Sequence, residues 1–110
     1  PELAIQAYRH AVDLRVEEHE AATEVEIAAI RAIYAYEEAR SFSKGKRTRA
    51  PGTWQLVNRH GVVPALRKRL QSRSGDDVEP VLKELGMEDY SFRAVAETYP
   101  EVFAAEAEAA

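Results

Sequence analysis

The residues best equipped for chemistry in this chain are cations. Between positions 40 and 75 stand Arg40, Lys44, Lys46, Arg47, Arg49, Arg59, Arg67, Lys68, Arg69 and Arg73, with no aspartate or glutamate among them. Guanidinium and ammonium groups at that density bind phosphate, by charge and, for arginine, by paired hydrogen bonds. Such a block fits contact with the backbone of DNA or RNA, whose counterions are released on binding, so that affinity falls with salt. Two other chemistries compete. The block can pair with acidic protein surface, either a partner's or that of a second copy of the chain. With His60 beside Arg59 as general acid or base, it can also act on a phosphorylated substrate, arginine meeting the charge that develops.

The enzyme reading is the weakest of the three. No carboxylate lies near His60 in sequence to orient it or to hold a metal, and a histidine just before a helix-ending glycine more often serves the helix terminus. His10 and His19 lie nine residues apart. That is about two and a half helical turns, which aims them at opposite faces. No glycine-rich phosphate loop or nucleophile elbow is present. The chain has no cysteine, which excludes disulfides and thiolate chemistry. No metal site and no cofactor are expected.

The net charge of −4 conceals the basic block. Residues 1–39 carry three basic groups against nine acidic ones, and residues 76–110 carry two against ten. The chain is therefore acidic, basic and acidic in turn. A polyanion partner that the total argues against becomes admissible once the charge is counted by segment.

The elements that must position these cations read as helices throughout. A chain of 110 residues is one domain's worth. From Glu2 to Arg40 there is neither glycine nor proline, and alanine, glutamate and arginine dominate. Ile5, Tyr8, Val12, Val16, His19, Ala22, Val25, Ala29, Ile33 and Tyr36 recur at close to heptad spacing, with Glu17-Glu18-His19-Glu20 the weakest part. One long helix over 1–40 is preferred to a hairpin broken near Glu18–Thr23, since no turn residue is seen there. A helix of about 38 residues is about 57 Å long. A domain of this size has a radius of gyration of only about 13 Å. The helix would overhang and need a second copy, so a homodimer is expected, with Ile5, Tyr8, Val12, Val16, His19, Val25, Ala29 and Ile33 at the interface.

Residues 41–53 read as a basic connector punctuated by Gly45, Pro51 and Gly52, mobile unless something holds it. A small bundle of short helices follows over 54–110. Thr53 is the expected N-cap of a helix from Trp54 to about His60, ended by Gly61. A second helix, with Pro64 in its first turn, reaches about Ser72. This pair, joined at a glycine, resembles a helix-turn-helix, with Arg67, Lys68 and Arg69 on the reading helix. After the turn Ser74-Gly75, Asp77 caps a helix to Leu85, Asp89 or Ser91 caps the next, and Pro100 opens the last; the Ala104–Ala110 run is expected to fray. No strand pattern survives the punctuation. Trp54, the one tryptophan, reads first as a core anchor and second as a stacking platform.

Lys46-Arg47-Thr48-Arg49-Ala50, then Thr53-Trp54-Gln55-Leu56-Val57-Asn58-Arg59-His60-Gly61, resembles the centre of a group of small uncharacterised bacterial proteins. Leu85-Gly86-Met87-Glu88-Asp89-Tyr90-Ser91-Phe92, with Tyr99-Pro100-Glu101-Val102-Phe103, is similar to the tail of that group. The resemblance covers roughly residues 30–105. It implies a bacterial or phage origin and carries over no catalytic residue.

The resulting expectation is an all-α, dimeric, cytoplasmic protein that binds nucleic acid as an accessory or regulatory factor. Its contacts would come from Lys44, Lys46, Arg47, Arg49, Arg59, Arg67, Lys68, Arg69 and Arg73. No apolar run approaches the roughly 20 residues that span a bilayer. Pro1 stands where a methionine would open a chain, which leaves room for an upstream piece.

Overall fold

The computed structural model describes residues 2–19, 23–72 and 76–103. Among them there is no strand, and the architecture is all-helical. The helices are α1 (Glu2–Glu17), α2 (Glu24–Lys44), α3 (Pro51–His60), α4 (Val62–Gln71), α5 (Glu79–Glu84) and α6 (Phe92–Thr98). Single turns of 3-10 helix precede α5 and α6, and residues 100–103 form a last helical turn. Arg73, the Ser74-Gly75 turn and the Ala104–Ala110 run lie outside the described residues.

The single long N-terminal helix is corrected. The chain leaves the helix after Glu17, where Glu18 N–H and His19 N–H close onto Arg15 O and Val16 O. It re-enters at Glu24 behind a full capping box. Thr23 Oγ1 accepts from Glu26 N–H, while the Glu26 carboxylate accepts from Thr23 N–H at 3.1 Å. Two orphan donors are thereby satisfied. The two helices then run antiparallel: His19 meets Tyr34, Arg15 meets Glu38 and Tyr8 meets Phe42.

Folding back removes the overhang that called for a second copy. The described chain has a radius of gyration of 13.3 Å. Of the residues expected at a dimer seam, Val12, Val16, Ala29 and Ile33 are buried in the chain's own core, and Ile5, Tyr8, His19 and Val25 are half-buried.

Helix α2 is the hub, in contact with α1, α4, α5 and α6. Its alanines explain how. Ala28, Ala29, Ala32, Ala35 and Ala39 are all buried, and their small side chains let several neighbours close in around one helix. The gaps are filled from outside by Leu66, Leu82, Leu85, Met87, Phe92, Val95 and Phe103. Each such large side chain, fully buried, contributes about 1.5–3 kcal/mol. Residues 1–40 are therefore not a separate element beside a bundle, because α2 is the centre of that bundle.

Helix α1 is docked by polar contacts as well. Arg9 donates to Gly86 O and Asp89 Oδ1, both at 2.7 Å, and to Asp89 Oδ2 at 3.1 Å. Its guanidinium lies 4.5 Å from the centre of the Tyr90 ring, and Tyr90 O–H donates to Asp13 at 3.0 Å. Burial and this Asp13 bond hold the Tyr90 phenol above its ordinary pKa. The hydrogen bond from Arg9 holds the Asp89 carboxyl below its ordinary value. A carboxyl depressed on folding stabilises the fold above its unfolded pKa and loses that contribution as pH falls through the folded one. Because Asp89 is largely exposed, the pair is worth at most about 1 kcal/mol. Asp89→Asn is expected to cost no more than about this near neutrality, and nothing once the wild-type carboxyl is protonated. Urea melts of both proteins between pH 7 and 2.5 check it. A difference that persists at the acid end would show that Asp89 acts otherwise.

Two further sequence expectations are adjusted. Helix α3 starts at Pro51, not after Thr53, with Ala50 at the N-cap and no side-chain cap, while Thr53 is buried. Asp77 sits in a 3-10 turn, and Val78 precedes α5. Ser91 does cap α6, accepting from Ala94 N–H at 3.0 Å.

Candidate functional site

The basic connector is not a loose arm. Two side chains of α2 hold it. Ser41 Oγ accepts from Thr48 N–H at 2.8 Å. Glu37 accepts from Ala50 N–H at 2.9 Å and from the Trp54 indole N–H at 2.8 Å, both on the same carboxylate oxygen. Glu37 is only 3% exposed, a depth at which a carboxylate needs such partners. It ties the connector and the first turn of α3 to the centre of the fold.

Anchored in this way, the connector forms one wall of a cleft of about 390 Å³. Arg47 and Arg49 come from the connector, and Arg15 and Glu18 from the end of α1 and the turn after it. The remaining lining is Glu37 and three aromatic rings, carried by the turn after α1, by α2 and by α3. His19 stacks on Trp54, with ring centres 5.6 Å apart and planes 13° apart. Tyr34 meets Trp54 at 5.0 Å, and its hydroxyl is hydrogen-bonded to His19 Nε2. Burial, with the charge of Glu37 second, raises the Tyr34 phenol above its ordinary pKa. The phenol therefore stays protonated across the neutral range.

The arginines are unequally committed. Glu38 is shared: Arg47 reaches it at 2.9 Å and Arg15 at 3.6 Å, and Arg15 also lies 5.9 Å from the centre of the Tyr34 ring. Arg49 is exposed and makes no ion pair with any described residue. Among the described residues, the cleft thus offers the Arg49 guanidinium without an ion pair, in one lining with three rings.

The other expected phosphate contacts divide sharply. Lys44, Lys46, Arg59 and Lys68 are exposed and pair with no described carboxylate. Arg67 turns inward, donating to Val102 O at 2.7 Å with Phe103 beneath it. Arg69 is half-buried, and its Nη2 would stand 2.9 Å from a side-chain carbon placed at Gly52. Arg40 lies along Tyr36 and donates to its hydroxyl at 2.9 Å. The reading helix of a helix-turn-helix is therefore not presented, since two of its three expected contacts serve the fold. Helices α3 and α4 are joined by Gly61 alone, where that motif uses a turn of about three or four residues. Gly61 has φ of +95°, a conformation open to glycine.

His60 is exposed at the end of α3, and no group of residues suited to a metal ion occurs among the described residues. No described helix is long and apolar enough to cross a membrane. No protein-family model, curated protein or solved structure matches the chain.

Sequence reading missed Glu37 and the meeting of His19, Tyr34 and Trp54. Glu37 looks like its neighbour Glu38 in the sequence, and nothing local marks it. The three rings come from positions 19, 34 and 54, which only the α1–α2 hairpin and the clamped connector bring together.

Proposed function

We propose that the protein binds nucleic acid through the phosphate backbone, along the connector and the adjoining end of α4. The observation that carries this reading is that Lys44, Lys46, Arg49 and Lys68 are exposed without a carboxylate partner among the described residues. Cations meant to neutralise the chain's own acidic flanks would face them. Lys68 precedes Arg69, whose guanidinium reaches Gly52 at the start of α3, so Lys68 belongs to the connector's end of that helix. Arg59 lies at the far end of α3, about 10 Å from Gly52 at 1.5 Å per residue, and is the least involved.

The reading favours backbone contact over reading a duplex groove, because α4 keeps Arg67 and Arg69 within the fold. Binding is then weakly sequence-dependent and strongly salt-dependent. With about four phosphates neutralised, the slope of log affinity against log salt is about −3 on a single strand. The test is an electrophoretic shift with single-stranded DNA, RNA and duplex DNA at low salt. Charge reversal of Lys44, Lys46 and Lys68 together is expected to weaken binding at least about tenfold, since each lost phosphate contact also flattens the salt slope. No shift with any of the three nucleic acids at low salt would overturn the proposal. So would equal binding of an acidic polypeptide, which would make the block a protein-docking surface.

A further inference from the structure

We infer that the cleft between the end of α1, α2 and the connector holds a single nucleotide unit, its base against the aromatic wall and its phosphate on Arg49. This deepens the nucleic-acid reading by giving the protein a site for one nucleotide in addition to a backbone track.

The lining selects the ligand's chemistry. A volume of about 390 Å³ is at the small end of ligand pockets, which run from about 300 to 1,000 Å³. It suits one planar group with a substituent, not several. His19 and Trp54 are stacked on each other and Tyr34 is tilted against Trp54, so a base would meet the outer side of this aromatic cluster, the kind of surface on which any base stacks. Rings alone would equally suit an organic cation, as aromatic cages do. Here Glu38 takes up Arg15 and Arg47, and Glu37 is bonded to Ala50 and Trp54, which leaves Arg49 in the lining to meet an anion and Glu18 on the rim. Inorganic phosphate alone would leave the rings unused, and an uncharged ring would leave Arg49 unused. A planar group carrying a phosphate uses both.

Two further features fit. Arg47 and Arg15 share Glu38, so their guanidiniums are held in place before any ligand arrives. Glu37 fixes both the Trp54 indole and the backbone just after Arg49. The base-side and phosphate-side groups are therefore positioned by one buried residue, which keeps the distance between them constant. Glu18, exposed on the rim, is available to accept from a ribose hydroxyl or an exocyclic amine.

The ligand can be a free mononucleotide or the end of a strand, and the experiment separates them. Trp54 is the only tryptophan and lies in the cleft, so its fluorescence, excited to the red of nucleotide absorption, reports occupancy. The full chain is titrated with AMP, adenosine, inorganic phosphate and a 5′-phosphorylated octadeoxyadenylate, with calorimetry on the same samples. AMP or the oligonucleotide is expected to give a saturable change. Adenosine and phosphate alone should require at least tenfold higher concentration. Arg49→Ala removes an exposed side chain that pairs with no described carboxylate and should leave the far-ultraviolet circular dichroism unchanged while weakening the phosphorylated ligand tenfold or more. Saturation by AMP indicates a free nucleotide, and saturation by the oligonucleotide alone indicates a strand end.

No saturable signal by either method, or phosphate binding as tightly as AMP, overturns the inference. The two proposals fail separately. An electrophoretic shift that leaves Trp54 silent, and that Arg49→Ala weakens no more than the loss of any one of Lys44, Lys46 or Lys68, removes the cleft and keeps the backbone track. AMP binding without any shift does the reverse.

Discussion

Glu37→Ala is expected to destabilise the protein by about 2–4 kcal/mol and to release the basic connector. One buried carboxylate oxygen accepts from both the Ala50 amide and the Trp54 indole. Truncation leaves the Ala50 and Trp54 donors without their acceptor and removes a buried side chain from the lining of the cleft. Hydrogen bonds to a charged group are worth about 1.5–3 kcal/mol each, but the two share one acceptor and will not add fully. Glu37→Gln retains a carbonyl oxygen for the same donors and should cost about 1 kcal/mol, the residual loss being that of charge. Urea unfolding gives the stability change. Release of the connector is a separate, local effect, read by limited trypsin digestion. Cleavage after Lys46, Arg47 and Arg49 should accelerate in Glu37→Ala under conditions where far-ultraviolet circular dichroism shows the fold intact. If cleavage at these bonds follows global unfolding alone, Glu37 supports the core without clamping the connector.

This expectation also bears on function. The arginines of the connector are useful to a ligand only if they are held at a fixed distance from the rings, and Glu37 sets that distance. A variant that folds but frees the connector should keep some salt-dependent backbone binding, because Lys44, Lys46 and Lys68 remain. It should lose the nucleotide site, because Arg49 and Trp54 are no longer tied together.

The helical class could be read from the chain, and the reasons are local. The alanine- and glutamate-rich first third, the glycine after His60 and the serine before Phe92 each act within a turn or two of their own position. Ser91 and Gly61 are found at the helix boundaries where such residues belong. The break in the first helix was also written locally, but in a different alphabet. Turn residues are absent near Glu18–Thr23, yet Thr23-Glu24-Val25-Glu26 has the spacing of a capping box ahead of an apolar run. A helix start inside an apparently continuous helical stretch implies a stop before it. The heptad-like stripe misled for a related reason. Two antiparallel helices facing each other in one chain need the same apolar spacing as two helices facing across a dimer, and the sequence pattern does not say which copy supplies the partner.

The site was less legible because it depends on tertiary placement. Arg67, Lys68 and Arg69 are consecutive and chemically alike, yet only Lys68 is exposed. On a helix, consecutive residues point about 100° apart, so one of three neighbours faces solvent while the others meet whatever packs alongside. What packs alongside Arg67 is the last helical turn, whose Val102 carbonyl it bonds. Only the docking of that turn, 35 residues further on, decides Arg67's role. Composition counted ten cations as one block, and packing divided them.

Gly86→Ala is expected to cost about 2–5 kcal/mol, the second large effect, and to act by pushing α1 off the fold. Gly86 follows α5 with φ of +73°, in the left-handed region, where an L side chain costs about 1–2 kcal/mol. Space adds a second penalty. A Cβ at this position would overlap the side chain of Ile5 on α1, touching its Cγ2, Cβ and Cγ1. Forcing an extra methyl into such a contact costs about 1–3 kcal/mol. Relief requires α1 to shift, and α1 is held at the same place by Arg9 on the Gly86 carbonyl and on Asp89. The two penalties can be separated by a double-mutant cycle. In an Ile5→Ala background the Cγ2 and Cγ1 contacts are removed and only a Cβ contact of 3.3 Å remains, so Gly86→Ala should cost little more than the backbone strain of about 1–2 kcal/mol. Urea unfolding of the four proteins measures the coupling. Equal cost in both backgrounds would mean that Ile5 does not pack against Gly86, and that α1 meets the rest of the fold only through Arg9, Asp13 and its contacts with α2.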